Sequence, residues 1–267
     1  MSVLIDKDNG ITTVTINRPV LRNAVDPATA RELYTAFVAF EKDADQQIAI
    51  LTGAEDAFCA GFDLKSAGDG RSDTWLAETD IPDDWTDPIR NPLPGPMGPT
   101  RLMLSKPVIA AIEGHAVAGG MELAAWCDMR VIAEGAVTGV FCRRWGVPLI
   151  DGGTVRLPRI LGQGRANDLI LTGRPVETDE ALTMGFANRP CPQGKALATA
   201  QQIARDLTRY PQACMRADHL SARMPPAELA AALKREWTSA RAFAAEGKAG
   251  AARFAAGKGR SGDFDDI

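Results

Sequence analysis

The sequence predicts an α/β fold followed by a helical C-terminal region. Four short runs are apolar and rich in β-branched residues, which is typical of strands: residues 11–16, 48–52, 108–112 and 129–132. The segments between them have apolar residues at helical spacing. Strands that alternate with helices are wound into one sheet by crossover connections. After Gly152 the sequence reads almost entirely as helix. We therefore predict an α/β core over residues 1–200 and a helical region over residues 201–267.

The first two strands are predicted to form a hairpin. Residues 3–5 and 11–16 are β-branched, and Asn9-Gly10 lies between them. This dipeptide is typical of a two-residue hairpin turn, because both positions require a positive φ.

The first helix is predicted to begin at Asp26-Pro27. Asp is a favoured N-cap, and Pro is favoured at the first helical position. Leu33, Phe37 and Phe40 then follow at helical spacing. Further helices are predicted over residues 119–127, 165–171, 177–184, 195–209 and 226–246.

Composition excludes several classes of function. The 267 residues are 45% hydrophobic and 24% charged, which is typical of a globular protein. A net charge of -4 argues against nucleic-acid binding. No apolar run is long enough to cross a bilayer, and residues 1–16 lack a signal-peptide pattern. We therefore expect neither a nucleic-acid partner nor a membrane partner.

The cysteines and histidines indicate a cytoplasmic protein without a metal site. Five scattered cysteines without CxxC spacing favour reduced thiols over disulfides. Only His115 and His219 are available, which argues against a histidine-rich metal centre.

Residues 67–100 have no periodicity. This segment contains six prolines, four glycines, seven acidic residues and two tryptophans. A long segment of this kind is either a functional lid or disordered. Trp75 and Trp85 favour a packed segment, because exposed indoles are uncommon.

The first segment with a chemical signal is residues 51–65. A strand ends there, and Ala60-Gly61 precede a new helical start at Asp63. Small residues let a ligand approach the backbone closely, so the Phe62 N–H would point toward that ligand. An ordinary strand-to-helix turn has the same pattern.

The second such segment is residues 108–128, where a strand leads to a helix that opens with Gly119-Gly120. The first N–H groups of a helix lack intrahelical partners, and the helix dipole favours negative charge there. One N–H from each segment, converging on a carbonyl oxygen, would form an oxyanion hole. Glu122 in the first turn is either a stabilising charge or a general acid or base.

The order and separation of these segments resemble the paired oxyanion-hole motifs of the crotonase (enoyl-CoA hydratase/isomerase) superfamily. Thr-Ile-Asn-Arg-Pro at residues 15–19, followed by Asn-Ala at 23–24, is similar to the family's opening. Leu-Thr-Gly-Arg-Pro-Val at 171–176 is similar to a later family motif. The resemblance covers about residues 3–190.

The resemblance implies a spiral of ββα turns with a C-terminal helical region that helps the chain to trimerise. Homotrimers, or hexamers built as dimers of trimers, are the family's usual assemblies. The implied ligand is an acyl-CoA thioester whose oxygen accepts hydrogen bonds from the Phe62 and Gly119 N–H groups. No cofactor is implied, because CoA is part of the substrate. Residues implied in contacting CoA or substrate are Ala60, Gly61, Asp63, Gly120 and Lys258.

One position departs from the family pattern. Enoyl-CoA hydratases of this family use two glutamates about one water; the first matches Glu122, whereas the second falls at Cys142. A thiol has an ordinary pKa of about 8.5, against about 4.3 for Glu, so it is a poor base toward water. Cys142 is either an inert filler or, if Arg143 or Arg144 lowers its pKa, a nucleophile.

Asp151 is the candidate that would compensate for this change. It precedes Gly-Gly-Thr, a pattern that also suits a helix N-cap. Relatives that catalyse other reactions often place a carboxylate on this loop. Asp151 would then partner Glu122 across the pocket in acid/base chemistry.

These residues leave three functions open. The first is an enoyl-CoA hydratase that adds water to a 2-enoyl-CoA through an oxyanion-stabilised enolate. The second is an isomerase, hydrolase or decarboxylase that uses Glu122 and Asp151. The third is a non-catalytic acyl-CoA-binding protein, which Glu122 disfavours because a binder gains little from a buried carboxylate. A nucleotide-binding fold is disfavoured, because no G-x-G-x-x-G follows the first strand.

Overall fold

The structure, a computed structural model, describes residues 1–241 and 244–258. Strands in this part of the chain are β1 (Val3–Asp8), β2 (Ile11–Ile16), β3 (Ile48–Gly53), β4 (Val108–Ile112), β5 (His115–Val117), β6 (Met129–Ala133), β7 (Val137–Gly139), β8 (Val176–Glu177) and β9 (Arg189–Cys191). A six-stranded sheet has the order β1-β2-β3-β4-β6-β9, and a smaller sheet has the order β5-β7-β8. In the larger sheet only the β1–β2 pair is antiparallel.

The helices surround these two sheets. They are α1 (Pro27–Lys42), α2 (Leu64–Gly68), α3 (Asp73–Glu78), α4 (Gly119–Trp126), α5 (Gly153–Leu161), α6 (Gln163–Thr172), α7 (Thr178–Thr183), α8 (Ala196–Thr208), α9 (Gln212–Ser221), α10 (Pro226–Arg241) and α11 (Ala244–Ala255). None of them, in the described part of the chain, has the length and apolar character that a membrane crossing requires. The predicted α/β class with C-terminal helices is confirmed.

The N-terminal elements form where the sequence predicts them. Asn9 and Gly10 have φ angles of 49° and 81°, as the hairpin turn between β1 and β2 requires. The Asp26 side chain accepts a hydrogen bond from the Thr29 amide at 2.9 Å and caps α1. Pro27 is the first residue of that helix.

The prediction of almost pure helix after Gly152 is wrong in one respect. Strands β8 and β9 lie in that region and are only two and three residues long. Runs this short show no alternation of apolar and polar residues, so periodicity does not reveal them. The predicted boundary near residue 200 falls inside α8, which packs on the larger sheet. That domain division therefore stays a prediction.

Residues 67–100 are packed against the rest of the chain. The indole nitrogen of Trp75 donates to the Pro96 carbonyl at 2.9 Å, and that of Trp85 donates to the Asn91 carbonyl at 2.6 Å. Both indoles are only 4% exposed. The tryptophans thus order the segment, as their presence predicted, and its last residues form one wall of the cleft described next.

Candidate active site

A deep cleft of about 1320 Å³ opens between the two sequence segments and the C-terminal helices. Its lining contains most of the residues that the sequence singled out. These are Ala60, Phe62, Asp63, Gly119, Glu122, Cys142 and Asp151.

The two glycine-containing segments are joined by backbone hydrogen bonds. The Cys59 amide donates to the His115 carbonyl at 2.9 Å, and the Val117 amide donates to the Cys59 carbonyl at 3.0 Å. This pairing aligns the turn after Cys59 with the start of α4. A Cβ built on Gly61, whose φ is +95°, would lie 3.0 Å from the amide nitrogen of Gly119. The contact therefore requires a glycine at position 61.

The amides of Phe62 and Gly119 have no protein acceptor among residues 1–241 and 244–258. Both residues line the cleft. Ala118, just before α4, has φ +52° and ψ -126°, a region that a residue with a Cβ rarely adopts. This strained residue precedes the unpaired amide of Gly119, which suits a backbone shaped for ligand binding rather than for packing alone.

Gly61 and Gly120 have a packing role, since neither lines the cleft. A Cβ on Gly120 would lie 2.1 Å from the Cys59 carbonyl oxygen, so α4 reaches this position only because residue 120 is glycine. Any direct contact of Gly61 or Gly120 with a ligand stays a prediction. Their shared effect is to bring the two segments together.

Glu122 lies in the first turn of α4 and is 3% exposed. Its Oε1 accepts hydrogen bonds from the Asp151 and Gly153 amides, both at 2.9 Å. Its Oε2 has no hydrogen-bond partner among the described residues. One oxygen is thus fixed by the backbone, whereas the other is available to a ligand in the cleft.

Asp151 has a similar arrangement. Its Oδ1 accepts hydrogen bonds from the Met97 amide at 2.9 Å and from the Thr100 hydroxyl. In the described part of the chain, Oδ2 has no hydrogen-bond partner. The alternative interpretation of Asp151 as an N-cap is wrong, because Gly152 precedes α5 and no side chain caps that helix. The carboxylate turns instead toward residues 97–100.

Burial raises the pKa of both carboxyl groups. For Glu122 the pKa lies well above its ordinary value, first because of desolvation and then because of the negative charges of Asp151 and Glu236. For Asp151, desolvation raises the pKa, while hydrogen bonds from Thr100 and Met97 and the charge of Arg101 oppose the rise. Both groups therefore hold a proton more readily than an exposed carboxyl group does.

Cys142 lies in a short 3-10 helix at residues 141–145 and is buried in the cleft wall. Desolvation and then the nearby Glu122 charge raise the pKa of its thiol to about 12. Arg143 lowers that pKa, but by less than burial raises it. A raised pKa favours the neutral thiol and thus the interpretation of Cys142 as an inert filler. A catalytic role for Cys142 stays a prediction.

Glu236, on α10, is a third buried carboxylate that sequence reasoning missed. Its Oε1 accepts a hydrogen bond from the Gly152 amide at 2.6 Å, and its Oε2 accepts from the Thr154 amide at 2.8 Å. The sequence does contain a signal that Glu236 is buried. Leu229 and Leu233 place an apolar stripe on α10, and Glu236 continues this stripe at the next helical position.

Met97 is a second residue that the sequence did not single out. A Cβ built on Gly119 would lie 2.8 Å from the Met97 sulfur, so this side chain covers the start of α4. Its amide also binds Asp151. Residues 67–100 thereby contribute directly to the cleft wall beside both candidate groups.

The outer part of the cleft contains basic and aromatic side chains. Lys65 and Lys248 line it, and the rings of Trp145 and Phe254 meet edge to face with centroids 5.2 Å apart. Lys258 lies just past the end of α11 and is outside this lining. A contact between Lys258 and a CoA phosphate stays a prediction.

The Asp63 side chain has two structural partners at the mouth of the cleft. It caps α2 by accepting from the Lys65 and Ser66 amides, and it pairs with Arg18 at 3.1 Å. Any contact with substrate would add to these roles. No cluster of three or more His, Cys, Asp or Glu side chains among the described residues is arranged to hold a metal ion.

Comparison with known proteins identifies the family. The sequence pattern of the enoyl-CoA hydratase/isomerase family matches residues 6–258. The enoyl-CoA hydratase EchA19 of Mycobacterium tuberculosis is 36% identical over 208 residues, covering 75% of this chain and 72% of that protein. A carnitinyl-CoA dehydratase of Salmonella arizonae is also 36% identical over 208 residues, covering 77% of this chain and 74% of its own.

Solved structures agree with this sequence relationship. An enoyl-CoA hydratase from Mycobacterium avium superposes with a TM-score of 0.75 at 31% identity, covering 92% of this chain and 99% of that one. A carnitinyl-CoA hydratase from the same species gives a TM-score of 0.80 at 26% identity, covering 96% of both chains. The fold is thus that of the crotonases. The chain belongs to the enoyl-CoA hydratase/isomerase family, and it is a hydratase-like enzyme.

Proposed function

We propose that this enzyme adds water to the double bond of a 2-enoyl-CoA, and removes it in the reverse direction, with Asp151 and Glu122 as the acid/base pair. The observation that supports the proposal most strongly is that these two buried carboxyl groups have the same hydrogen-bond pattern. Each has one oxygen fixed by protein donors and one oxygen without a partner in the cleft. The relatives named as dehydratases are named for the reverse reaction.

The thioester oxygen would accept hydrogen bonds from the Phe62 and Gly119 amides. Neither amide has another acceptor in the described part of the chain. Donors preorganised in this way stabilise the negative charge that develops as the thioester becomes an enolate. Losing one such donor typically reduces kcat by about 10² to 10³.

The surroundings of the two carboxyl groups suggest their roles. Asp151, whose rise in pKa is opposed by hydrogen bonds from Thr100 and Met97 and by the charge of Arg101, would be ionised. It would take a proton from water as the new C–O bond forms at the β-carbon. The electron pair of the double bond moves into the thioester enolate. Glu122, whose pKa is raised by burial and by the charges of Asp151 and Glu236, would then donate its proton to the α-carbon as the enolate collapses. Proton exchange between the two groups and solvent restores the starting state.

Asp151 would thus replace the family's second glutamate, which the sequence resemblance aligns with Cys142. The neutral thiol of Cys142 would fill space against the acyl group without exchanging a proton. Hydration moves only water and protons, so the proposed reaction requires no cofactor beyond the CoA of the substrate.

The CoA portion would occupy the outer cleft. Lys65 and Lys248 provide positive charge there for phosphate groups, and Ala60 leaves room beside the backbone for the pantetheine arm. We further propose a cytoplasmic homotrimer or dimer of trimers, as the crotonase fold suggests. Analytical ultracentrifugation would test the assembly directly.

The test is a steady-state assay of crotonyl-CoA and longer 2-enoyl-CoAs, which follows loss of the conjugated thioester absorbance. We expect wild-type turnover of about 1 to 1,000 per second. Glu122→Gln and Asp151→Asn should each lower kcat by about 10² to 10⁴ while acyl-CoA binding persists in calorimetry. Cys142→Ala serves as the matched control at the cleft wall.

Two outcomes would contradict parts of the proposal. Full activity in Asp151→Asn, with loss in Glu122→Gln, would leave a hydratase in which Glu122 performs both proton transfers. No turnover of any 2-enoyl-CoA by a protein that binds acyl-CoA would overturn hydration. Isomerase, hydrolase and decarboxylase substrates would then be assayed, and failure of all three would leave an acyl-CoA-binding protein.

A further inference from the structure

The short loop at residues 151–154 is held from both sides by buried carboxylates. Its first and third amides, from Asp151 and Gly153, donate to Glu122. Its second and fourth amides, from Gly152 and Thr154, donate to Glu236. Four consecutive N–H groups thus alternate between a glutamate on α4 and a glutamate on α10.

We propose that Glu236 is a positioning residue that sets the orientation and charge state of Glu122 through this loop. The inference rests on the proposed role of Glu122 in hydration. Glu236 does not line the cleft, so it does not contact the substrate itself. It acts by fixing the backbone that in turn fixes Oε1 of Glu122.

Two further features restrict the conformation of residues 151–154: crowding at Gly152 and a second hydrogen bond from Thr154 to Glu236. Gly152 has φ +88°, and a Cβ there would lie 1.8 Å from an Arg156 guanidinium nitrogen and 3.4 Å from the Leu233 side chain. The Thr154 hydroxyl adds a further hydrogen bond to Glu236. An unpaired buried amide is unfavourable, so the four amides strongly favour the two carboxylates as partners.

Charged groups from several elements face Glu236 and influence whether Glu236 and Glu122 are ionised. Arg156 on α5 and Arg101 in the turn at residues 99–101 provide positive charge, whereas Glu122 provides negative charge. Because like charges disfavour ionisation of a neighbour, the Glu236 carboxylate helps Glu122 to keep its proton. Burial similarly raises the pKa of Glu236 itself.

Glu236→Gln is the decisive variant, because glutamine keeps the shape and one acceptor oxygen but removes the charge. Glu228→Gln is the matched control, since Glu228 lies exposed on the same helix. With 2-enoyl-CoA as substrate, we expect kcat of Glu236→Gln to fall on the order of tenfold, as for other misplaced catalytic groups, while KM changes less than about twofold. The alkaline limb of the pH–rate profile should move to lower pH, because Glu122 then loses its proton more easily.

A second readout does not depend on catalysis. In protein labelled with ¹³C at the glutamate carboxyl carbons, the Glu122 signal is assigned from its loss in Glu122→Gln. Its titration midpoint should move to lower pH in Glu236→Gln and stay in place in Glu228→Gln. An unchanged midpoint in folded Glu236→Gln protein, judged by thermal melting, would overturn the inference. If wild-type protein hydrates no enoyl-CoA, the proposed reaction fails while this titration still decides the role of Glu236.

Discussion

The amide nitrogen of Asp151 lies 2.9 Å from Oε1 of Glu122, so the backbone of one candidate catalytic residue holds the side chain of the other. The Asp151 side chain points elsewhere, to the Met97 amide and the Thr100 hydroxyl. A change confined to the Asp151 carboxylate therefore leaves the Glu122 tether intact. The two groups are close enough to influence each other's charge, yet each can be altered separately.

Glu122→Gln should stabilise the protein, and more so at high pH. The folded-state pKa of Glu122 is raised, so the folded protein binds more protons than the unfolded chain between the two pKa values. Stability from this group is therefore lost as pH rises from the ordinary glutamate range toward the raised pKa. Glutamine keeps an acceptor for the Asp151 and Gly153 amides and has no charge to bury.

Urea unfolding at pH 5 and pH 8 measures this difference. We expect the variant's advantage over wild type to be larger at pH 8 than at pH 5. An equal difference at both pH values would mean that Glu122 titrates normally in the folded state.

Cys142 should resist alkylation. Burial raises the pKa of its thiol to about 12, so almost no thiolate forms at pH 7.5. Cys214 is exposed and should react first with iodoacetamide. Peptide mass spectrometry during the reaction gives both rates, and equal labelling of the two cysteines would refute the assignment of Cys142 as an inert neutral thiol.

Gly61→Ala should remove most activity. A Cβ at this φ is strained, at a cost of about 1 to 3 kcal/mol, and it would lie 3.0 Å from the Gly119 amide nitrogen. Displacing that amide by even part of an ångström should lower kcat by about 10². Gly164→Ala on α6 is the matched control, because nothing lies within 4 Å of its Cβ and alanine favours a helix. Similar activity in the two variants would argue against an oxyanion role for the Gly119 amide.

Met97→Ala should change acyl-chain preference. The Met97 side chain covers Gly119 in the cleft, so shortening it should raise kcat/KM for bulkier 2-enoyl-CoAs relative to crotonyl-CoA. A stability loss of about 2 to 5 kcal/mol accompanies a buried Met→Ala change. Met103→Ala should cost similar stability without altering preference, because Met103 is buried outside this cleft. Unchanged relative rates in Met97→Ala would exclude Met97 as a selectivity residue.

The sequence alone predicts those structural elements that depend on a few neighbouring residues. The hairpin turn at Asn9-Gly10 and the cap at Asp26 depend on the conformational preferences of one or two residues, and both form as predicted. The two glycine-containing segments, residues 51–65 and 108–128, carried a family pattern, and the structure brings Phe62 and Gly119 into one cleft.

Contacts between residues that are far apart in the sequence could not be predicted from local sequence patterns. The contact between Gly152 and Glu236 joins residues 84 positions apart, and no periodicity links them. Asp151 suited a helix N-cap in sequence, but its carboxylate is drawn to donors in residues 97–100 that only the fold brings near. Residues 67–100 likewise contain no repeat that would place Met97 over α4.

The distance along the chain between Gly152 and Glu236 has a consequence during synthesis. At about 5 to 20 residues per second, a ribosome needs about 4 to 17 s to add the 84 residues from 153 to 236. Until then the Gly152 and Thr154 amides have only water as a partner, and the nascent chain carries an unfinished active site. Hydration activity should therefore appear abruptly when α10 docks, and a ribosome stalled before residue 236 should display a folded sheet that is catalytically silent.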